Sequence, residues 1–224
     1  MNDNCLNRFG IKKKSDGRKR TDKIKNDIYS LLFIIGYFKM FEILSHAIPK
    51  TLILIILLII SIILYYKEII SEIKNFTKNN ANESLSIVTV LIILTSILSL
   101  LWNQWQINTN ENKDPILYLL FTSIIFAPFV EEFFGRIAIN SIIRNVTNNV
   151  YAINIVSALL FSFLHLYKIN CDSNSYFYYG IIYALLGYAC SHYYEKNQNY
   201  ISAWSIHFMW NSFMIIGMMI RFLL

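Results

Sequence analysis

The chain has 224 residues, of which 55% are hydrophobic and 16% aromatic, with only 7 glycines and 3 prolines. A soluble domain of this length would have a composition close to the average, so these values predict an integral membrane protein instead. The formal net charge is +6, and residues 1–27 alone contain nine basic and four acidic side chains. The positive-inside rule makes this segment a basic cytoplasmic tail. Because it has almost no interleaved aromatic residues, it is not predicted to bind nucleic acid.

Apolar segments follow the tail. A bilayer core of about 30 Å needs roughly 20 apolar helical residues to cross it. We predict spans near 51–66, 86–105, 116–143, 150–167, 176–194 and 201–220, with polar connectors at 67–85, 107–114 and 168–175. Segment 28–48 contains Lys39, Glu42 and His46, so it either crosses the membrane too or lies in the interface as an amphipathic helix. The predicted fold is an all-α polytopic transmembrane bundle of six to seven spans, with one membrane domain over residues 28–224.

Three ionisable side chains interrupt the third of these spans: Glu131, Glu132 and Arg136. A charge at membrane depth costs at least a few kcal/mol, so such residues usually face the bundle interior and mark a functional site. Glu132 and Arg136 are four residues apart and are expected to form an ion pair on one helix face. A buried pair of this kind is also explained by helix packing alone. Glu131 points about 100° away from Glu132 on a helix, so it is the excess acid and the candidate general base.

The helix face around Glu131 is expected to leave open space. Its neighbours one and two turns away are Ala127, Pro128, Gly135 and Ala138, which are small or lack a backbone N–H. Small side chains leave room there for water or a substrate backbone, and Pro128 is predicted to kink the helix just before the acids.

Two later spans each carry a polar pair at helical spacing. Phe161 and His165 are four residues apart, so the phenyl ring is expected to pack against the imidazole and orient it. His207 and Asn211 repeat this spacing and would present two hydrogen-bond donors on one face. A lone histidine in a span is more often a packing residue, but two histidines and an asparagine beside an excess glutamate favour a site. His46 and His192, near span ends, are interpreted as interfacial.

The motifs Glu131-Glu132-x-x-x-Arg136, Phe161-x-x-x-His165 and His207-x-x-x-Asn211, in this order on successive apolar helices, resemble the CAAX protease and bacteriocin-processing (CPBP, or Abi) family of intramembrane endopeptidases. The resemblance covers roughly residues 116–215. It implies that Glu131, aided by His165, activates a water, that His207 and Asn211 donate to the oxyanion, and that Glu132, Arg136 and Phe161 support them.

The resemblance extends beyond these motifs, with one departure. Pro128 and Gly187 also match family positions, whereas the family often has Phe-Arg-Gly around its arginine and this chain has Gly135-Arg136-Ile137. The expected setting is a bacterial cell membrane, and the expected substrate is a membrane-associated peptide or protein. Cleavage would serve bacteriocin self-immunity, peptide processing or prenyl-protein processing.

Four alternatives remain open at this point. A zinc site built from Glu131, His165 and His207 would have an open position, but the HExxH signature of zincins is missing, so no cofactor and no metal are expected. A cysteine peptidase would use Cys171 or Cys190, which are expected to lie in a connector and near a span end, away from the buried polar set. A non-catalytic immunity or binding protein would use the polar cavity for recognition. A transporter is disfavoured because no inverted repeat is evident.

Overall fold

The computed structural model describes residues 50–102, 120–167 and 172–223. The regular structure of these residues is helical, which confirms the predicted all-α class. The predicted basic tail, the segment 28–48 and the connector 107–114 lie outside the described residues.

The first two described helices are longer than predicted. Helix α1 spans Lys50–Asn75 and α2 spans Lys78–Trp102, so the predicted connector 67–85 is wrong. Only residues 76–77 separate the two helices, because Thr77 and Asn80 cap the start of α2 reciprocally. Oδ1 of Asn80 accepts from the Thr77 amide over 2.9 Å, and Oγ1 of Thr77 accepts from the Asn80 amide over 3.3 Å. This reciprocal capping satisfies amides that the helix start leaves unpaired.

The acidic motif lies in a helical run, residues 120–146, whose hydrogen-bond register changes three times. A π-helical segment π1 (Leu120–Phe126) is followed by α3 (Ala127–Glu132), a second π-helical segment π2 (Phe133–Ile139) and α4 (Asn140–Val146). Pro128 lies in the first turn of α3, where its missing N–H is tolerated. Short π-helical segments inside α-helices occur frequently at functional sites, and here they flank the two glutamates.

Three further helices complete the described chain. They are α5 (Val150–Leu166), α6 (Ser173–Asn197) and α7 (Tyr200–Leu223). The Asn149 side chain caps α5 by accepting from the amides of residues 151 and 152, and Asp172 caps α6 in the same way. Helix α6 ends at Gln198, whose φ of 50° places it in the left-handed region and turns the chain into α7.

Two apolar clusters hold the helices together. One joins α2, α5, α6 and α7, and the other joins α1, α3, π2 and α7. Helices α5 and α6 are in close contact at Gly187, where an added Cβ would lie 2.9 Å from Cβ of Phe161 and 3.2 Å from Cα of Ala158. Only a glycine permits this contact without displacement, so Gly187 fixes the position of α6 beside the motif residue Phe161.

One end of the bundle, called here the polar end, is formed by the connectors 76–77, 147–149 and 198–199. The Glu72 carboxylate accepts from the amide of Tyr200 over 2.6 Å, joining α1 to α7, and Lys196 pairs with Glu83 over 2.8 Å, joining α6 to α2. The helices of this end also carry basic side chains: Lys74, Lys78, Arg144 and Lys196. Among the described residues, one helix, Lys78–Trp102, is long and apolar enough to cross a membrane by length and composition, and Val150–Leu166 is a shorter apolar helix.

Candidate active site

Glu131 lies near the end of α3, where two imidazoles converge on one of its carboxylate oxygens. Nε2 of His165, from α5, is 3.5 Å from Oε2 of Glu131, and Nε2 of His207, from α7, is 3.7 Å from the same oxygen. The side chains of Glu131 and His165 are each 23% exposed, whereas His207 is 2% exposed. The structure therefore brings together three residues from three separate motifs around a group that is partly open.

The other nitrogen of each imidazole has a defined partner. Nδ1 of His165 is 2.9 Å from the main-chain oxygen of Phe161, and Nδ1 of His207 is 3.0 Å from Oε1 of Glu132. A carbonyl and an ionised carboxylate only accept hydrogen bonds, so both Nδ1 atoms carry the proton and donate. A neutral ring then presents the lone pair of Nε2 toward Glu131, whereas a doubly protonated ring points an Nε2–H at it.

Glu132 and Arg136 form the ion pair that their spacing predicts. Nε of Arg136 donates to Oε2 of Glu132 over 2.7 Å, and both side chains are fully buried. Nη1 of Arg136 also donates to Oγ of Ser157 on α5 over 2.6 Å, and its guanidinium lies 6.0 Å from the centre of the Phe161 ring. Since Oε1 of Glu132 accepts from His207, the pair also orients an imidazole that faces Glu131.

Asn211 contacts the backbone near the start of the helical run 120–146, which carries Glu131 and Glu132. Its Nδ2 donates to the main-chain oxygen of Ser123 over 2.7 Å. Ser123 lies in π1, where a carbonyl normally accepts from the N–H five residues later, and that residue is Pro128, which has no N–H. The asparagine amide thus takes the place of a missing backbone donor, and its second N–H is not used by this bond.

Tyr183, on α6, is a site residue that sequence analysis missed. The His165 ring lies between Phe161, at a centroid distance of 4.2 Å, and Tyr183, at 4.5 Å and an interplanar angle of 28°. Tyr183 is one turn before Gly187, where α5 and α6 are in close contact. The four-residue spacing from Tyr183 to Gly187 was the available signal, but it does not reveal which ring the tyrosine meets across the interface.

Gly135 is buried and yet has space beside it. Among the described residues, no atom outside the helix's own backbone lies within 4 Å of the position that a Cβ would occupy there. Gly135 is four residues beyond Glu131, and the small-residue face of the sequence predicts that this space serves the carboxylate.

Cys190 is not where sequence analysis expects it. Its side chain is fully buried, and its thiol interacts with Glu132 and Arg136, so the expectation that it lies apart from the buried polar set is wrong. The register of α6 accounts for this: Cys190 is seven residues, two turns, beyond Tyr183 and lies on the same face. The thiol is placed beside the ion pair rather than beside Glu131. Cys171 lies outside the described residues, and His192 is exposed and stacks on Tyr188.

The arrangement of donor side chains bears on metal binding. Within the three described ranges, no group of three or more histidine, cysteine, aspartate or glutamate side chains is arranged to hold a metal ion. The zinc alternative would use His165, His207 and Glu131, the three side chains that converge in the site.

The sequence around these residues matches a known protein family. Residues 113–213 match the model of the type II CAAX prenyl endopeptidase Rce1-like family, which falls within the CPBP family. This segment belongs to the CPBP family. CPBP members are membrane proteins of a CAAX protease family, and the matched residues contain all three motifs, which confirms the predicted resemblance. No curated protein and no solved structure is similar enough to the chain to be matched.

Proposed function

We propose that the chain is a glutamate-dependent intramembrane endopeptidase that cleaves a membrane-associated peptide or protein with an activated water. The observation that carries the proposal is the convergence of the His165 and His207 Nε2 atoms, at 3.5 and 3.7 Å, on one oxygen of Glu131. Serine, cysteine or threonine is not needed as a nucleophile in this arrangement, because a carboxylate with an adjacent imidazole can deprotonate water.

The proposed reaction starts with a water held between Glu131 and Nε2 of His165. Glu131 takes a proton from this water as its oxygen attacks the carbonyl carbon of the scissile peptide bond. The tetrahedral intermediate then collapses as the proton passes from Glu131 to the departing nitrogen and the C–N bond breaks. The products are a carboxylic acid and an amine, which become a carboxylate and an ammonium group by proton exchange, so the atoms balance without any further reactant.

His207 and Asn211 are proposed to stabilise the negative charge that forms on the carbonyl oxygen. Because Nδ1 of His207 already donates to Glu132, its Nε2 donates as well only when the ring carries a second proton. That proton also offsets charge: Glu131 and Glu132 are two carboxylates facing one guanidinium, and one added proton makes the buried set neutral. Each preorganised donor to an oxyanion is worth about 10² to 10³-fold in rate. Asn211 would contribute the N–H that Ser123 does not occupy.

The proposed setting is a bundle of six to seven spans in a bacterial cell membrane. With a cytoplasmic N-terminal tail, seven spans place the polar end in the cytoplasm and six place it outside. The basic side chains of the polar end favour seven spans through the positive-inside rule. The protein is not proposed to bind nucleic acid, and no cofactor takes part in the proposed reaction.

The test compares membrane-associated peptides from cells that make the intact protein with those from cells that make Glu131→Gln. The amide is nearly isosteric with the carboxylate but accepts no proton from water, so we expect substrates to accumulate uncleaved. The identity of those substrates distinguishes self-immunity from peptide processing and prenyl-protein processing. If cleavage or protection persists in Glu131→Gln, the protein acts as a binding or immunity protein without catalysis.

A further inference from the structure

A second group of buried polar side chains lies between the candidate active site and the polar end. Nδ2 of Asn140 lies within hydrogen-bond distance of Oγ of Ser191, at 3.2 Å, and of Oε1 of Glu195, at 2.9 Å. Oγ of Ser191 in turn donates to Oδ1 of Asn154 over 2.8 Å. These residues join α4, α5 and α6, and all four are at least nine-tenths buried. We call Asn140, Asn154, Ser191 and Glu195 the inner polar cluster.

The inner polar cluster reaches the surface through Arg144. The guanidinium of Arg144 pairs with the other oxygen of Glu195, and its side chain is 37% exposed, compared with 1% for Glu195. Arg144 lies in the last turn of α4, beside the exposed connector 147–149 of the polar end. A polar route therefore begins at the surface and continues into the bundle.

The inner polar cluster and the Glu132–Arg136 pair each contain buried polar atoms that lack a hydrogen-bond partner. Nη2 of Arg136, Oδ1 of Asn140 and Nδ2 of Asn154 are all buried without a hydrogen bond. Arg136 and Asn140 are four residues apart on one helical run, and Asn154 is three residues before Ser157, which binds Arg136. The residues that carry these three atoms are thus the ones through which the inner polar cluster lies next to the Glu132–Arg136 pair.

The chemistry of these atoms suits water. Two are N–H donors and one is an acceptor, and a buried water typically makes about three hydrogen bonds to otherwise unsatisfied groups. An ion is less suited, because Glu132 already offsets the charge of Arg136 and Arg144 offsets that of Glu195. Gly135, the residue before Arg136, has open space at the position of a Cβ and lies between Arg136 and Glu131 in the chain.

We infer that Arg136, Asn140 and Asn154 bind an internal water, and that the inner polar cluster is the route by which hydrolytic water passes from the polar end to Glu131. This inference rests on the proposed function, which consumes one water per peptide bond in a site otherwise surrounded by apolar helices. Arg144 and Glu195 form the outer end of the route, and the space at Gly135 forms the inner end.

Cys190 supplies a reporter for this water. Its thiol interacts with Arg136, and the next residue, Ser191, bonds both Asn140 and Asn154. Hydroxyl radicals made from water by a brief X-ray pulse oxidise side chains next to bound water, and sulfur reacts readily. We expect Cys190 to be oxidised in the intact protein despite its burial, as located by peptide mapping.

Asn154→Leu tests the route itself, with Ser84→Ala as the control. Ser84 is also buried and bonded, to Ser205 over 2.6 Å, but it lies on α2 outside the inner polar cluster. We expect Asn154→Leu to reduce Cys190 oxidation severalfold and kcat about tenfold with KM unchanged in a protein that still folds, and to lower Tm because Ser191 loses its acceptor. Ser84→Ala should change neither Cys190 oxidation nor kcat.

The outcomes separate this inference from the proposed function. An intact protein in which Cys190 stays unoxidised overturns the water site, whatever the variants do. Native kcat in a folded Asn154→Leu overturns the route. Since Cys190 oxidation does not depend on catalysis, its presence in a protein that cleaves nothing would retain the water site and reject the endopeptidase.

Discussion

Asn211 on α7 donates a hydrogen bond to the main-chain oxygen of Ser123, five residues before Pro128, which has no N–H to donate in the π-helical register. This contact joins the last helix to the start of the helical run 120–146, so Asn211 has a structural role besides its proposed role toward the oxyanion. The two roles are separable because only the structural role depends on Pro128.

A double-mutant cycle separates them. Asn211→Ala should lower the free energy of unfolding by about 1–3 kcal/mol, because it leaves a carbonyl unsatisfied. In a Pro128→Ala background the backbone N–H of residue 128 is restored, so the same change should cost much less. The rate loss, about 10² to 10³-fold, should persist in both backgrounds. Unfolding transitions and cleavage rates of the four proteins measure this, and recovery of the rate in the double variant would leave Asn211 with a structural role alone.

The two adjacent glutamates should respond oppositely to the same substitution. Glu132→Gln leaves buried Arg136 without its counter-charge, and breaking a buried ion pair costs about 3–5 kcal/mol. Glu131→Gln should change stability by less than about 1 kcal/mol and abolish cleavage, since Glu131 is partly exposed and has no guanidinium partner. Thermal unfolding in detergent checks the contrast. Equal destabilisation by both variants would make Glu131 part of the structural network.

Activity of the purified protein is expected to survive strong chelators. In the proposed mechanism the charge of the transition state is stabilised by His207 and Asn211, so no metal ion needs to be present. Cleavage is measured before and after prolonged treatment with 1,10-phenanthroline and EDTA. Loss of activity followed by its recovery with added zinc would show that Glu131, His165 and His207 act as metal ligands.

Gly187→Ala should separate α5 from α6 and weaken the stacking of His165 on Tyr183. The added methyl would meet Phe161 at 2.9 Å, so one helix has to move. An aromatic pair contributes about 0.5–1.5 kcal/mol, and we expect a loss in kcat of up to about tenfold with reduced Tm. Gly217→Ala is the matched control, because Gly217 lies in α7 with nothing within 4 Å of an added Cβ. That variant should keep full activity and gain roughly 1 kcal/mol of helix propensity.

Gly135 tests the space beside Glu131. Gly135→Ala has open space for its methyl group and should remain folded and active. Gly135→Leu should also remain folded but lose cleavage, because the larger side chain occludes the space where water and substrate backbone are proposed to lie. Cleavage rates and Tm of the two variants check this. Full activity of Gly135→Leu would show that the space takes no part in the reaction.

Local spacing explains which features could be predicted from the sequence. The Glu132–Arg136 pair and the Phe161–His165 stack join residues four apart on one helix, and both were predictable for that reason. Contacts across helices were not, because they depend on how each helix is rotated. The bond from His207 to Glu132, the stack of Tyr183 on His165 and the buried position of Cys190 all belong to this second kind.

The helix boundaries and the π-helical register could not be predicted from the sequence for a related reason. Hydropathy finds apolar stretches, so it ended the first described helix at residue 66 although the amphipathic segment to Asn75 continues it. The π-helical segments carry no periodic signal of their own. Their position became interpretable only through Pro128 and the carbonyl of Ser123, which Asn211 satisfies from a distant part of the sequence.

The placement of the ion pair on a single helix has a consequence for biogenesis. Glu132 and Arg136 lie on the same helical run, so they neutralise each other as soon as that run is helical, before the helices that follow it have been synthesised. The partners of Glu131 come from α5 and α7, which leave the ribosome later. During insertion, therefore, the acidic helix enters the bilayer with one carboxyl group still awaiting partners rather than three separate charges, and the reactive centre is assembled only when the last helix docks.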